Sequence, residues 1–422
     1  MSALVSTFTP LSGLLLAVGG IVFVLGVLFI VAIRQRNLHL WLDDYARSFS
    51  TRRALGKRSN ADETAQSSEV IDVMVCVADH YEPRWETEDE RLEQKRVSAW
   101  LSELPKTLSG RKDSDGVLPQ HTFFYPYEEY REPLLNDLTE LCAAGYGEIE
   151  IHLHHGDDTE ESLKAQLDDF VQILHWRHGA LGTHPDTGEP GYAFVHGNWA
   201  LNNAGDTSET CGVNDEIKVL LGSNCYVDMT LPSAPSHTQV NVANRIYYAT
   251  SSKSECAGHK RGENVRAGGS ITSPDHLMLI TGPLGLNWRR RKLGLLPRIE
   301  NGELADNAPC DADRVALWEK LSSAVVGRPS WRFIKLHCHG VQEKDHSIML
   351  GEECREMYEE LERQFRDRPG YRLHYVSARE MYNIARAAEA GETGNPNEYR
   401  NYVFRAPQFR ISDSAIGLSA GR

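Results

Sequence analysis

Imidazole nitrogens and carboxylate oxygens gathered at one point are the donor set of a divalent metal, and segment 148–158, EIEIHLHHGDD, is rich in both. Strand alternation puts His152 and His154 on one face while His155 opens the loop beyond, so two of the three can reach one metal. Residues of the same kind recur elsewhere. Asp79, His80, Tyr81 and Glu82 lie in VADHYEP, His196, Asn198 and Trp199 in AFVHGNWAL, Asp228 in YVDMTLPSAP, and His337 and His339 in IKLHCHG. Histidines scattered over a surface would not return in this way. The expected cofactor is a divalent metal, zinc first, with Mn, Fe or Co also compatible with such ligands. The eight cysteines form no CxxC pair, so neither a zinc knuckle nor a thioredoxin-type site is suggested.

What positions these groups is a rhythm of short apolar runs followed by stretches of helical period. The runs are 71–77, 121–125, 148–153, 192–195, 225–229, 331–336 and 371–376. Helices are expected over 90–108, 130–144, 159–178, 214–221, 311–325, 352–366 and 378–390, with Thr159 and Ser377 in N-cap positions. Strand and helix in alternation imply parallel strands, and seven of them favour an α/β barrel over an open sheet. In a barrel the reactive groups belong just after the strands, where the motifs above fall.

In order and spacing these motifs resemble those of the polysaccharide deacetylases, carbohydrate esterases with a NodB-type domain and a distorted seven-stranded (β/α) barrel. The resemblance covers most of 70–390. In that family the first strand ends in a T-F-D-D-G type motif whose first Asp is the base and whose second binds metal. VADHYEP is similar, which implies Asp79 as catalytic base and His80 in the ligand position. The second motif carries two metal-binding histidines four residues apart. EIEIHLHHG is similar with His152 first, but Gly156 stands four residues on, so the implied second ligand is His155 or His154. AFVHGNWAL falls in the place of the third motif without its Arg, leaving His196, Asn198 and Trp199 as implied substrate contacts. Asp228 matches the Asp of the fourth motif. The L-x-H of the fifth matches IKLHCHG and implies His337 as acid, with His339 its rival or a further contact.

The resemblance implies a metal-dependent hydrolase that removes N- or O-acetyl groups from a polysaccharide or glycan precursor. A metal held by His80, His152 and His155 would polarise water and carbonyl together, Asp79 would take the water's proton, and His337 as imidazolium would protonate the leaving group. Trp199 with Tyr125 or Tyr127 would stack on a sugar. Two other readings stand beside this one. A metal-dependent phosphoesterase or amidohydrolase also uses His-x-His pairs, although none follows the first strand. A catalytically degraded polysaccharide-binding or assembly protein would account for the missing second Asp and groove Arg.

No charged side chain occurs from residue 1 to 33, and 11–33 is almost wholly apolar, about 34 Å of helix, enough for a bilayer. The expected organisation is a single-pass transmembrane anchor over 1–34, a juxtamembrane segment and coil-like linker over 35–69, the barrel over 70–390 and an irregular tail over 391–422. A hairpin-rich insertion at about 236–310 is expected to fold as a lid over the site. Arg34, Arg36, Arg47, Arg52, Arg53, Lys57 and Arg58 place the soluble domain on the cytoplasmic side by the positive-inside rule. The run Trp288, Arg289, Arg290, Arg291, Lys292 reads as a solvated basic loop or a contact for anionic lipid or charged substrate. A formal net charge of -14 excludes nucleic acid as the main partner, because an acidic surface repels a polyanion.

Overall fold

The computed structural model describes residues 10–59, 70–205, 207–269 and 275–411. Each of the seven apolar runs falls on a strand. The strands are β1 (Ile71–His80), β2 (His121–Pro126), β3 (Gly147–Leu153), β4 (Gly182–Thr183), β5 (Pro190–His196), β6 (Cys225–Asp228) and β7 (Ile246–Ala249), then β8 (Gly262–Asn264), β9 (Leu277–Ile280), β10 (Gly285–Lys292), β11 (Leu296–Glu300), β12 (Glu303–Leu304), β13 (Trp331–Cys338) and β14 (Tyr371–Tyr375). Helices α1 (Pro10–Gln35) and α2 (Leu38–Ser59) precede them. Between and after the strands come α3 (Glu90–Thr107), α4 (Glu132–Leu141), α5 (Glu160–Gln172), α6 (Glu216–Leu221), α7 (Ala312–Leu321), α8 (His346–Leu350), α9 (Glu352–Leu361) and α10 (Ala378–Ala390).

The fold is mixed α/β around a largely parallel sheet, in which β13, β1, β2, β3, β5, β6 and β9 follow one another as parallel neighbours. Helices start where the chain supplies an acceptor for their free N–H groups: Asp89 caps α3, Thr159 caps α5, and Ser377 with Glu380 forms a capping box on α10. Along β1, Val73, Val75 and Val77 turn to the helices, whereas Met74, Cys76 and Ala78 turn to the concave face.

Strand-to-strand closure into a seven-stranded barrel is not formed among the described residues. The paired strands run from β12 to β8, and these two ends do not pair with each other among the described residues. β14 pairs only with the lower half of β1, Ile71 to Val75, and leaves the upper half, Val77 to His80, to β2. The chain then turns inward, and α10 packs Met381, Ile384, Ala385 and Ala388 against the concave side chains of the strands. The insertion also differs from a lid. β7 and β9 pair antiparallel, but β9 pairs in parallel with β6 as well, so the segment extends the central sheet.

The expected linker is helical as far as Ser59, and residues 60–69 lie outside the described residues. α2 docks through Trp41, fully buried against Ala234, Ala243 and Leu284, while Asp44 accepts from Ala243 N at 3.0 Å and pairs with Arg245. At the N-terminus, residues 1–9 and the side chains of 10–17, 21, 22, 25 and 28 lie outside the described residues. Among the described residues no helix is long and apolar enough to cross a membrane.

Candidate metal centre

Alternation decides which groups meet. His80 continues the concave face of β1, and Asp79 the helix face; on β13 the same division separates His337 from Cys338, their register partners being Ala78 and Asp79. Carried one step past the strand ends, it aligns three pairs spaced by two residues: His80 with Glu82, His152 with His154, and His337 with His339. The His80 ring lies 4.6 Å from that of His152, 4.7 Å from His339 and 6.5 Å from His337, between centroids.

Glu82 stands at the centre. Its Oε1 is 3.2 Å from His152 Nε2 and 3.3 Å from His154 Nε2. Both rings have their other nitrogen engaged: His152 Nδ1 donates to Val195 O at 3.0 Å, and His154 Nδ1 to Glu128 Oε1. The Nε2 lone pairs are thereby aimed at the carboxylate, the arrangement in which outer carbonyl or carboxylate groups orient metal-binding histidines. Lone pairs facing one oxygen repel unless something positive lies among them. His80, Glu82 and His339 form a second ligand-distance group that shares Glu82 with the group of Glu82, His152 and His154. Glu82 Oε2 and His80 Nδ1 are buried with no hydrogen-bond partner among the described residues. A divalent cation would engage groups that a proton on one ring leaves unsatisfied, so the residues fit a metal.

Without a metal, ring protons satisfy the carboxylate instead, and His154 becomes an imidazolium. Burial opposes ionisation of Glu82, but the hydrogen bonds of His152 and His154 outweigh it and hold its carboxyl well below the usual range. Burial would lower His154 too, yet Glu128 and Glu82 raise it to about 10. Burial lowers His80, with His152 and His339 adding to it, and lowers His337 with help from Lys335. Neutral rings therefore face the centre from two sides.

Trp199 forms one wall, stacked on His80 at 4.5 Å and edge-on to His337 at 5.1 Å. Its φ of 58° is costly for a bulky side chain, and such strain is kept where surrounding structure fixes it. Gly197 makes room next door: a Cβ there would lie 2.3 Å from His154 Cδ2.

The other expected site residues lie elsewhere. Asp79 faces the helix layer, where it accepts from Gly340 N at 2.7 Å and pairs with His121 Nε2 at 3.0 Å. It is fully buried and does not open onto the metal centre. His155 leaves the group of His152 and His154 for an outer cluster, 3.2 Å from Glu216 Oε1 and 3.4 Å from Asp158 Oδ2. Burial would lower it, but these two carboxylates raise it to about 9. His196 is in that cluster too, with Cys211 close by. Asn198 N donates to His196 Nδ1 at 3.1 Å, which leaves the ring proton on Nε2 and no lone pair there for a cation. Asn198 also ties the loops, donating to His155 O at 3.0 Å and Thr210 O at 3.2 Å. Asp228 is in register with Phe194 and Leu279 near the end of β6, bonded by Thr230, and burial raises it to about 7.

Sequence reasoning left Glu82 out of the ligand set and missed Glu128 behind His154. Glu82 was within reach, two residues from His80 on the same face. Glu128, in the turn after β2, carries no signal in its neighbours.

Fold and site together define an α/β scaffold with buried histidine and carboxylate groups that could hold a metal ion at its strand ends. No family model and no curated protein matches the chain. Among solved structures it is similar to one described as a "putative polysaccharide deacetylase from Mycobacterium smegmatis", at a TM-score of 0.37 and 11% sequence identity, over 79% of this chain and 96% of that one. This likeness is distant, and the reading below rests on the residues themselves.

Proposed function

We propose that the chain is a metal-dependent deacetylase that removes N- or O-acetyl groups from a polysaccharide or glycan precursor, with Glu82, His152 and His154 as the metal-holding residues and His80 and His339 beside them. The observation that carries the metal is the convergence of two oriented Nε2 atoms on one buried carboxylate oxygen. The acetylated substrate rests on the order of the five motifs along the sequence. Zinc suits these donors, as do Mn, Fe and Co.

Bound there, a divalent cation would supply Lewis acidity toward an acyl carbonyl and its attacking water. The chain's own groups do the rest. Val195 O and Glu128 hold the ligand rings in orientation. His337, kept neutral by burial, has a nitrogen free to accept a proton, the task that the family pattern gives to Asp79. Having taken that proton, the ring would be the imidazolium that can pass it to the leaving group. Trp199 supplies an apolar wall against which a sugar ring can lie.

The test uses the full chain in detergent. We expect near-stoichiometric metal and acetate release from acetylated oligosaccharides, both abolished by Glu82→Gln. Metal without turnover on acetylated sugars or on phosphoester and amide substrates would leave the polysaccharide-binding reading; a folded chain that takes up no metal would remove the hydrolase altogether.

We also propose that α1 anchors the chain in a membrane with its soluble part on the cytoplasmic side. The support is the absence of charge over residues 1–33 and the basic flank from Arg34.

A further inference from the structure

The β10–β11 hairpin forms a two-stranded sheet of its own, outside the central sheet. Its register breaks between Asn287 and Arg291, which throws Trp288, Arg289 and Arg290 outward, and Asn287 Oδ1 accepts from Arg289 N and Arg290 N to hold that bulge. Trp288 is 57% exposed. At the tip, Leu293 is 87% exposed and Leu295 77%. Leu293 has φ +52°, a conformation in which Asn or Gly costs less and a leucine gains nothing from packing while it stands in water. Beside these apolar groups run Arg289, Arg290, Arg291 and Lys292, in a chain of net charge -14. Arg289 reaches Asp313 at 3.3 Å, and Arg291 donates to Trp288 O at 2.7 Å.

The hairpin's place in the molecule says what covers it. Arg36, just past the end of α1, donates to Pro297 O at 3.3 Å, and Leu286 and Ile299 at the hairpin base pack on the cluster of Trp41 in α2. The apolar, basic tip therefore belongs to the same end of the molecule as the emergence of α1, whose described side chains Phe23, Phe29 and Ile30 are exposed.

We infer that the β10–β11 hairpin is a membrane-surface contact that sinks Trp288, Leu293 and Leu295 into the interface of a bilayer while Arg289, Arg290, Arg291 and Lys292 engage anionic phospholipid headgroups. The inference rests on the reading of α1 as an anchor. Apolar groups flanked by arginine and lysine bind where hydrocarbon and headgroup meet, and the basic share of the binding depends on anionic lipid and weakens with salt.

The experiment is hydroxyl-radical labelling of the full chain in lipid nanodiscs of phosphatidylcholine, with and without phosphatidylglycerol. Trp176 is exposed to the same 57% and serves as the internal standard. We expect Trp288 to be oxidised roughly ten-fold less than Trp176 in the anionic discs, with weaker protection in the neutral ones. Leu293→Asn suits the turn and keeps the fold, and it should reduce the protection. Equal labelling of the two tryptophans in anionic discs overturns the inference while leaving the anchor intact. The anchor fails separately if alkaline carbonate strips the chain from vesicles; salt-sensitive binding to anionic vesicles, reduced by Leu293→Asn, would then still uphold the hairpin, and its absence would end it.

Discussion

Glu82 Oε1 lies 3.2 Å from His152 Nε2, and because the proton of that ring is held by Val195 O, the contact between them is an acceptor facing an acceptor. A bound cation or a ring proton makes it favourable, and only the cation can serve both rings and the carboxylate at once. Glu82→Gln removes the charge and keeps the shape, so metal affinity should fall by more than the roughly 10–100-fold typical of outer partners. Competition titration against a chelator of known affinity measures it, and an unchanged affinity would place the metal elsewhere.

Glu128 tests the orientation of the site separately from its ligands. It touches His154 from outside, through both the ring Nδ1 and the backbone N. Glu128→Ala should lower metal affinity about 10–100-fold with little change in melting temperature, since the residue is partly exposed. A change in Tm without one in affinity would make Glu128 a structural group only.

Asp79 discriminates between base and clamp. As a clamp on Gly340 N and His121, Asp79→Asn should cost about 1–3 kcal/mol of stability and reduce kcat only modestly. As a general base its loss would cost about 100- to 10,000-fold in kcat with stability nearly unchanged. Calorimetry and turnover on one preparation give both numbers.

His155 should make stability depend on pH. Its folded value, about 9, is raised above the ordinary 6.5, so the imidazolium is favoured in the folded chain. The stabilisation is complete below about pH 6.5 and disappears as pH rises through about 9. By that shift the stability gap between the native chain and His155→Gln should shrink by about 3 kcal/mol between pH 6 and pH 10, as read by urea unfolding. A gap constant with pH would show that Asp158 and Glu216 do not hold a charged ring.

The positions of the strands were legible in the sequence because buried parallel strands are short β-branched runs, and 71–77 or 331–336 read as little else. The helices followed from caps such as Thr159 and Ser377. The site was half legible. The period-two rule that paired His152 with His154 also pairs His80 with Glu82 and His337 with His339, and it sets Asp79 on the other face. A motif match ran against that rule at the first strand, and the geometry follows the rule. What no local pattern could give is long-range: that β9 joins β6, that β14 covers only half of β1, and that Glu128 reaches the ring of His154. Each depends on segments brought together only by the fold.

The docking of Trp41 and Asp44 has a consequence for how the molecule would work at a bilayer. A flexible leash would let the metal centre sweep a volume and meet substrate at many heights. With α2 packed onto the domain and Asp44 bonded to Ala243 N, the domain instead moves as one piece with the end of α1. Anchored as proposed, such a molecule would act on what is presented at one level above the lipid, and substrates themselves held at the membrane would be favoured.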